Sequence, residues 1–167
     1  MSGEPGAAAP AAPFVVRVGV ISDTHGLLRP QAVTALRGSD LVVHAGDVGA
    51  PEVLAGLAAI ARVVAVRGNN DWGAWAERLP AGEAVEAGGA LLYLLHDVKG
   101  LDLDPRAAGF AAVIAGHSHR PSIERRDGVL FLNPGSAGPR RFDLPVAVAR
   151  LVVRGREVTA EIVVLTV

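Results

Sequence analysis

The chain has 167 residues, half of them hydrophobic and a fifth charged, with a formal net charge of −1 and no cysteine; that is enough for one domain with a buried core. The near-neutral balance excludes a globally basic field, so no stable nucleic-acid partner is expected, and the absence of thiols excludes disulfides and leaves oxygen and imidazole as metal donors. Apolar runs such as Leu91 to Leu95 and Val146 to Ala149 fall far short of a bilayer span, so no membrane partner is expected either.

Residues 1–13 are rich in Ala, Pro and Gly and show no period. They lack the basic start and long apolar stretch of a secretory signal and read as a disordered tail. Residues 14–167 are expected to form one folded domain, in the cytoplasm.

Val15 to Ile21 is a β-branched apolar run ending at Ser22-Asp23, the pattern of a buried strand. A short helix is predicted from Pro30 to Arg37 and a second strand from Leu41 to His44. Pro51 to Ile60 reads as a helix with proline in its first turn, and Val63 to Val66 as a third strand. This β-α-β-α-β alternation predicts parallel strands with right-handed crossovers.

The second half predicts hairpins. Glu83 to Glu86 and Ala90 to Leu95 flank Gly88-Gly89, Ser122 to Arg126 and Val129 to Leu132 flank Asp127-Gly128, and Val146 to Val153 and Glu157 to Leu165 flank Arg154-Gly155. Each is a two-residue turn signal between apolar runs. A short helix around Pro105 to Gly109 and a strand from Ala112 to Ile114 lie between the first two. The expected architecture is two packed sheets with helices over parts of their outer faces.

The informative pattern lies at the strand ends. Asp23-Thr24-His25 comes directly after the first strand, His44-Ala45-Gly46-Asp47 closes the second, and Gly68-Asn69-Asn70-Asp71 comes after the third. Leu91 to Leu95 runs into His96-Asp97, and Val113-Ile114 into Gly116-His117-Ser118-His119. In open α/β sheets the carboxyl ends of the strands share one edge, where ligands sit.

Asp23, His25, Asp47, Asn69, His96, His117 and His119 therefore form one set of candidate ligands. Two carboxylates, four imidazoles and an amide suit Mn, Fe, Zn, Ni or Co, and seven donors with a shared carboxylate suit two ions. Two divalent cations against two carboxylates leave a positive site, which suits a phosphate oxyanion.

Singly, most of these blocks have plain structural explanations. Asp23 can cap a turn, Asp47 and Asn69-Asn70 can make turns, and His96 can be a satisfied core histidine. Gly-His-Ser-His has few structural uses, and the coincidence of five such blocks at one topological position favours function. His44, just inside its strand, reads as a packed residue. Trp72 and Trp75 read as core or surface cover, and Arg140-Arg141 as a solvated loop pair.

Asp23-x-His25, Gly46-Asp47, Gly68-Asn69-x-Asp71, His96 and Gly116-His117-x-His119 resemble, in order and approximate spacing, the calcineurin-like metallophosphoesterases. Ser22-Asp23-Thr24-His25-Gly26 and Asn133-Pro134-Gly135-Ser136 are most similar to its small bacterial and archaeal phosphodiesterases. The resemblance spans residues 14–167. It implies an α/β fold, a four-layer αββα sandwich of two mixed sheets. It also implies hydrolysis of a small phosphoester, chiefly a phosphodiester, by a metal-bridging hydroxide.

By the same resemblance, two divalent metal ions are expected, manganese first. One would be held by Asp23, His25, Asp47 and His119 and the other by Asp47, Asn69, His96 and His117, so that Asp47 bridges. Asp47, Asn69, Asn70 and His117 are the positions expected to carry catalysis. Two positions depart from the family pattern. Asn70 stands where many members have a histidine that assists the leaving group, and Asp97 where many have glycine. Asp97 and Asp71 are candidate acceptors for orienting ligands, or caps of their loops. A protein-binding scaffold on the same fold, as in the retromer scaffold subunit, and a nuclease are the alternative readings. The sequence leaves homo-oligomerisation open.

Overall fold

Alternate residues of the first strand divide their burial between two cores. Val16, Val18 and Val20 pack between the sheets with Leu92, Leu94, Ile114 and Leu130, while Ile21 and Val42 of the neighbouring strand face helices through Leu36, Val53 and Leu57. Burial on both faces is why these strands read as continuous apolar runs.

The computed structural model describes residues 14–167, and the segment read as a tail, residues 1–13, lies outside the described residues. The elements run β1 (Val15–Ile21), α1 (Pro30–Leu36), β2 (Leu41–His44), α2 (Pro51–Ala58), β3 (Arg62–Ala65), α3 (Ala74–Glu77), β4 (Gly82–Ala87), β5 (Ala90–Leu95), a 3-10 turn (Val98–Gly100), β6 (Ala112–Ile114), β7 (Ser122–Arg126), β8 (Val129–Asn133), β9 (Ala147–Arg154) and β10 (Glu157–Val164).

They build two five-stranded mixed sheets, ordered β10-β9-β1-β2-β3 and β4-β5-β6-β8-β7. In the first, β1, β2 and β3 are parallel; in the second, β5, β6 and β8 are. The carboxyl ends of each parallel trio therefore share an edge. Gly19 lets α1 lie close on β1, because a Cβ there would stand 2.9 Å from Leu36 Cδ2.

The outer face of the second sheet has a thin cover. The 3-10 turn and the coil after it close a small cluster of Leu95, Val113, Ala115 and Val129, with Tyr93, Leu101 and Phe131 beside it. The helix expected around Pro105 to Gly109 is only a turn, held by Ala108 N–H to Asp104 O and Phe110 N–H to Pro105 O. Asp104 draws the Arg106 and Ala107 amides to its carboxylate, and Gly109 at φ 85° ends the turn. The last hairpin turns at Gly155-Arg156 rather than at Arg154-Gly155, since Arg154 still pairs with Glu157. Gly155 takes φ 61°, which suits the first central position of a two-residue hairpin turn.

Trp75 packs against the helix-side core, as expected, but Trp72 is 77% exposed. No helix among the described residues is long and apolar enough to cross a membrane.

Candidate metal centre

All seven candidate ligands meet where the carboxyl edges of the two parallel trios come together. The β1–β2 register places Ile21 beside His44, so the loops carrying Asp23 and Asp47 leave adjacent strands side by side. Backbone bonds join those loops: Asp23 N–H to Gly46 O at 3.0 Å and His25 N–H to Asp47 O at 2.9 Å. From the second sheet, Gly116 N–H donates to His96 O at 2.9 Å.

The carboxylates sit at the centre. Asp23 Oδ1 is 3.3 Å from His119 Nε2 and 4.0 Å from both His25 Nε2 and His96 Nε2. Asp47 Oδ2 is 3.4 Å from His96 Nε2 and 3.8 Å from His25 Nε2. Asn69 Oδ1 lies 3.0 Å from His96 Nε2, and His117 Nδ1 lies 3.3 Å from the same atom. Ligand atoms of Asp23, His25 and His119 fall within 4.8 Å of one another, as do those of Asp23, Asp47 and His96. Both carboxylates thus reach into both halves of the cluster.

Three buried atoms here lack any hydrogen-bond partner: Asp23 Oδ1, His25 Nε2 and His119 Nδ1. An unpaired buried polar atom costs about 1–3 kcal/mol, and Asp23 Oδ1 and His25 Nε2, 4.0 Å apart, are both of this kind, so the cluster calls for a compensating ligand. Oxygen and imidazole donors suit a first-row divalent cation, and the residues present fit such an ion.

Backbone strain points the same way. Of the seven non-glycine residues with positive φ among the described residues, five are candidate ligands: Asp23 (54°), His25 (47°), Asp47 (54°), His117 (70°) and His119 (60°). Each such residue costs on the order of 1–3 kcal/mol and persists only where its surroundings enforce it. Close glycines enforce it. A Cβ on Gly68 would stand 2.8 Å from Asp47 Cγ, and one on Gly116 would stand 2.5 Å from Asp23 Oδ2.

Burial raises the cost of ionising Asp47, but its bonds from His96 and from the Asn70 backbone outweigh this and hold the carboxyl far below the usual range. Asp23 behaves alike, with His119 and Ser22 overcoming burial. His96 is disfavoured as a cation by burial, yet Asp47 and the Ala45 carbonyl raise its pKa above the ordinary value. Burial lowers that of His25, with Asp47 and Asp23 opposing. The site is therefore built around ionised carboxylates.

Several supporting residues lie in runs the sequence singles out without showing what each does. Ser22 Oγ donates to Asp23 Oδ2 at 2.7 Å, and Ser136 Oγ donates to Asp23 O at 3.0 Å. Asn133 Nδ2 donates to Gly116 O at 2.9 Å. Asn133 and Ser136 belong to the Asn-Pro-Gly-Ser run, whose grouping was visible but whose task was not.

Other expectations resolve individually. His44 is fully buried, with Nε2 2.9 Å from Thr24 Oγ1 and Nδ1 accepting from Gly46 N–H at 3.1 Å; it is a packed residue beneath the ligand loops. Asp71 accepts from Gly49 N–H at 2.9 Å and from Gly68 N–H at 2.8 Å, tying two ligand loops together. Asp97 caps the turn that follows it, one oxygen accepting from Lys99 N–H at 3.0 Å, while the other lies 3.7 Å from His117 Nε2, beyond hydrogen-bond reach. Asn70 donates its side-chain amide to Asp47 Oδ2 at 3.0 Å and its backbone N–H to Oδ1 at 2.9 Å. Arg140 and Arg141 are exposed, as a solvated pair should be, yet the charge of Arg141 is felt at His25.

Two mixed sheets with an Asp–His–Asn cluster at their joined edge define a metallophosphoesterase. The chain belongs to the calcineurin-like phosphoesterase superfamily, whose domain matches residues 16–156. It is 35% identical over 159 residues to a probable metallophosphoesterase of Methanothermobacter thermautotrophicus, covering 87% of this chain and 91% of that protein. Among solved structures, it resembles vacuolar protein sorting 29 of Cryptosporidium parvum with a TM-score of 0.78 and 23% identity, over 92% of this chain and 93% of that one. It likewise resembles a novel archaeal phosphodiesterase with a TM-score of 0.73 and 23% identity, over 89% and 100% of the two chains. These two likenesses are of fold.

Proposed function

We propose that the protein hydrolyses phosphodiesters with two divalent metal ions, manganese foremost, at the Asp23–Asp47 cluster. The observation that carries this reading is the meeting of two unpartnered buried atoms, Asp23 Oδ1 and His25 Nε2, 4.0 Å apart, beside the His119 ring, whose Nε2 lies 3.3 Å from Asp23 Oδ1. The ligand division is Asp23, His25, Asp47 and His119 for one ion and Asp47, Asn69, His96 and His117 for the other. Asp47 is assigned as the bridge from the family resemblance, and its Oδ2 lies nearer to both His25 and His96 than Asp23 Oδ1 does.

When bound, the ion pair supplies the charge that activates water and stabilises the attacking and leaving oxygens. The protein's own residues arrange the rest. Asn70 holds Asp47 by two donated bonds, fixing the carboxylate that faces both halves of the site. As an amide it has no proton to give a leaving alkoxide at neutral pH, so the reaction suits leaving groups that depart as stable anions. Arg141, exposed on the loop beside His25, adds positive charge where a phosphate approaches.

A second reading rests on the likeness to vacuolar protein sorting 29: a protein-binding scaffold. The exposed Trp72 and Phe142, at 77% and 90%, suit it. The complete ligand set favours catalysis. Hydrolysis of bis(p-nitrophenyl) phosphate by metal-stripped protein, before and after Mn²⁺, decides between them. Turnover only with metal supports the phosphodiesterase; none with Mn²⁺, Zn²⁺, Fe²⁺ or Ni²⁺ in folded protein supports the scaffold.

A further inference from the structure

A groove of about 360 Å³ runs from His117 across the outer face of the second sheet. It lies where no helix covers that face, so its walls are side chains of the 3-10 turn and of β6, β7 and β8. The 3-10 turn contributes Val98 and Lys99, the floor is Val113 and Ala115 of β6 and its continuation, and β7 contributes Ser122, Glu124 and Arg126. Its inner end is the metal cluster, because His117 lines the groove and also lies 3.3 Å from His96.

The groove has a flat wall. The Arg126 guanidinium lies 4.7 Å over the Phe131 ring and is held there by Glu124 at 2.9 Å. A guanidinium placed over a ring leaves its outer face open to a second planar group. Glu124 is neutralised by that pairing, which keeps its carboxyl below the usual range. Lys99, the only lysine of the chain, stands exposed at the rim; among the described residues no hydrogen bond or ion pair engages its ammonium, and Asp97 on the same lining balances its charge, so the groove is close to neutral.

We propose that this groove is a specificity subsite that receives one ester group of the substrate, a planar ring of nucleoside size, laid against the Arg126–Phe131 stack while the phosphorus sits at the metal cluster. The proposal rests on the phosphodiesterase reading and names the substrate class within it. Arg126 is a specificity residue, and Ser122, exposed on β7, is a position from which the groove can be filled.

The test uses two diesters with one leaving group, thymidine 5′-(p-nitrophenyl phosphate) and methyl p-nitrophenyl phosphate, on the Mn²⁺-loaded full chain. The wild type should show a KM about tenfold lower for the thymidine ester, the scale of one stacking contact. Arg126→Ala, Arg126→Lys and Ser122→Trp should each raise that KM about fivefold to tenfold and leave kcat/KM for the methyl ester within about twofold. Arg126→Lys keeps the charge and loses the plane, so its failure to rescue separates stacking from charge. All three substitutions are at exposed positions, and circular dichroism verifies folding. Equal KM ratios in the wild type and all variants would overturn the groove assignment alone. No turnover of either ester by the wild type would overturn the phosphodiesterase reading, and the groove assignment with it.

Discussion

His96 Nδ1 lies 2.7 Å from the carbonyl oxygen of Ala45, so that nitrogen carries the proton and Nε2 is the atom turned towards Asp47, 3.4 Å away. A backbone bond thereby fixes which nitrogen is available as a ligand, the usual device by which an outer partner orients a metal-binding imidazole. Gly46 leaves room for this contact, since a Cβ there would stand 2.7 Å from the same nitrogen.

The relationship predicts pH-dependent metal binding. In the metal-free protein Asp47 favours a second proton on His96 and raises its pKa, and that proton competes with the ion. Mn²⁺ affinity should therefore fall as pH drops, starting above the ordinary imidazole value of about 6.5. Calorimetric titration in buffers of different ionisation enthalpy should record proton release on binding. Constant affinity with no released proton between pH 6 and about 8 would exclude the coupling.

His44 predicts an acid sensitivity of the fold itself. Full burial pushes its pKa down to about 4, whereas the unfolded chain protonates it near 6.5. Between those values the unfolded state binds more protons, so the contribution is present above about 6.5 and is lost as pH falls towards about 4. The loss is on the order of 3 kcal/mol. In chelator, the stability of His44→Gln should decline less over this range than that of the wild type. Parallel pH–stability curves would refute the assignment.

Asp71→Ala removes an acceptor from two loop amides, those of Gly49 and Gly68. Hydrogen bonds to a charged group contribute about 1.5–3 kcal/mol, and removal of an outer partner weakens metal binding about 10–100-fold. Urea unfolding and metal titration of the variant should show both losses. Unchanged metal affinity would mean that Asp71 shapes the loops without bearing on the site.

Asn70→His restores a group that can donate a proton to the leaving oxygen. General acid catalysis contributes roughly 10²-fold or more, so the variant should gain on alkyl phosphodiesters and change little on aryl ones. Equal rates of the wild type on phenyl and alkyl esters would remove the premise.

The site was legible because β-strands impose a simple rule: each apolar run that ended in Asp, His or Asn delivered that residue to the shared carboxyl edge. The hairpins were legible from their glycine-containing turns, with the last one displaced by a residue because Gly155, not Arg154, takes positive φ. Three features lay outside that reading. Ser136 supports Asp23 across 113 residues of sequence, a contact no local pattern encodes. The left-handed backbone of Asp23, His25, Asp47, His117 and His119 is imposed by packing against propensity. The 3-10 turn at Val98–Gly100 is too short for periodicity to register, although Asp97 supplies its cap. The turn at 105–109 erred in the other direction, a proline start promising a helix that the four residues after it were too few to sustain.

Metal stoichiometry distinguishes a two-ion site that shares Asp47 from any other arrangement of these ligands. Stripped protein and its Asp47→Ala variant should be saturated with Mn²⁺, desalted, and assayed for metal per chain by elemental analysis. About two ions are expected in the wild type, as a two-metal site requires, and fewer than one in the variant, whose loss of the bridge weakens both positions. One ion in the wild type, or full retention in the variant, would contradict the shared site.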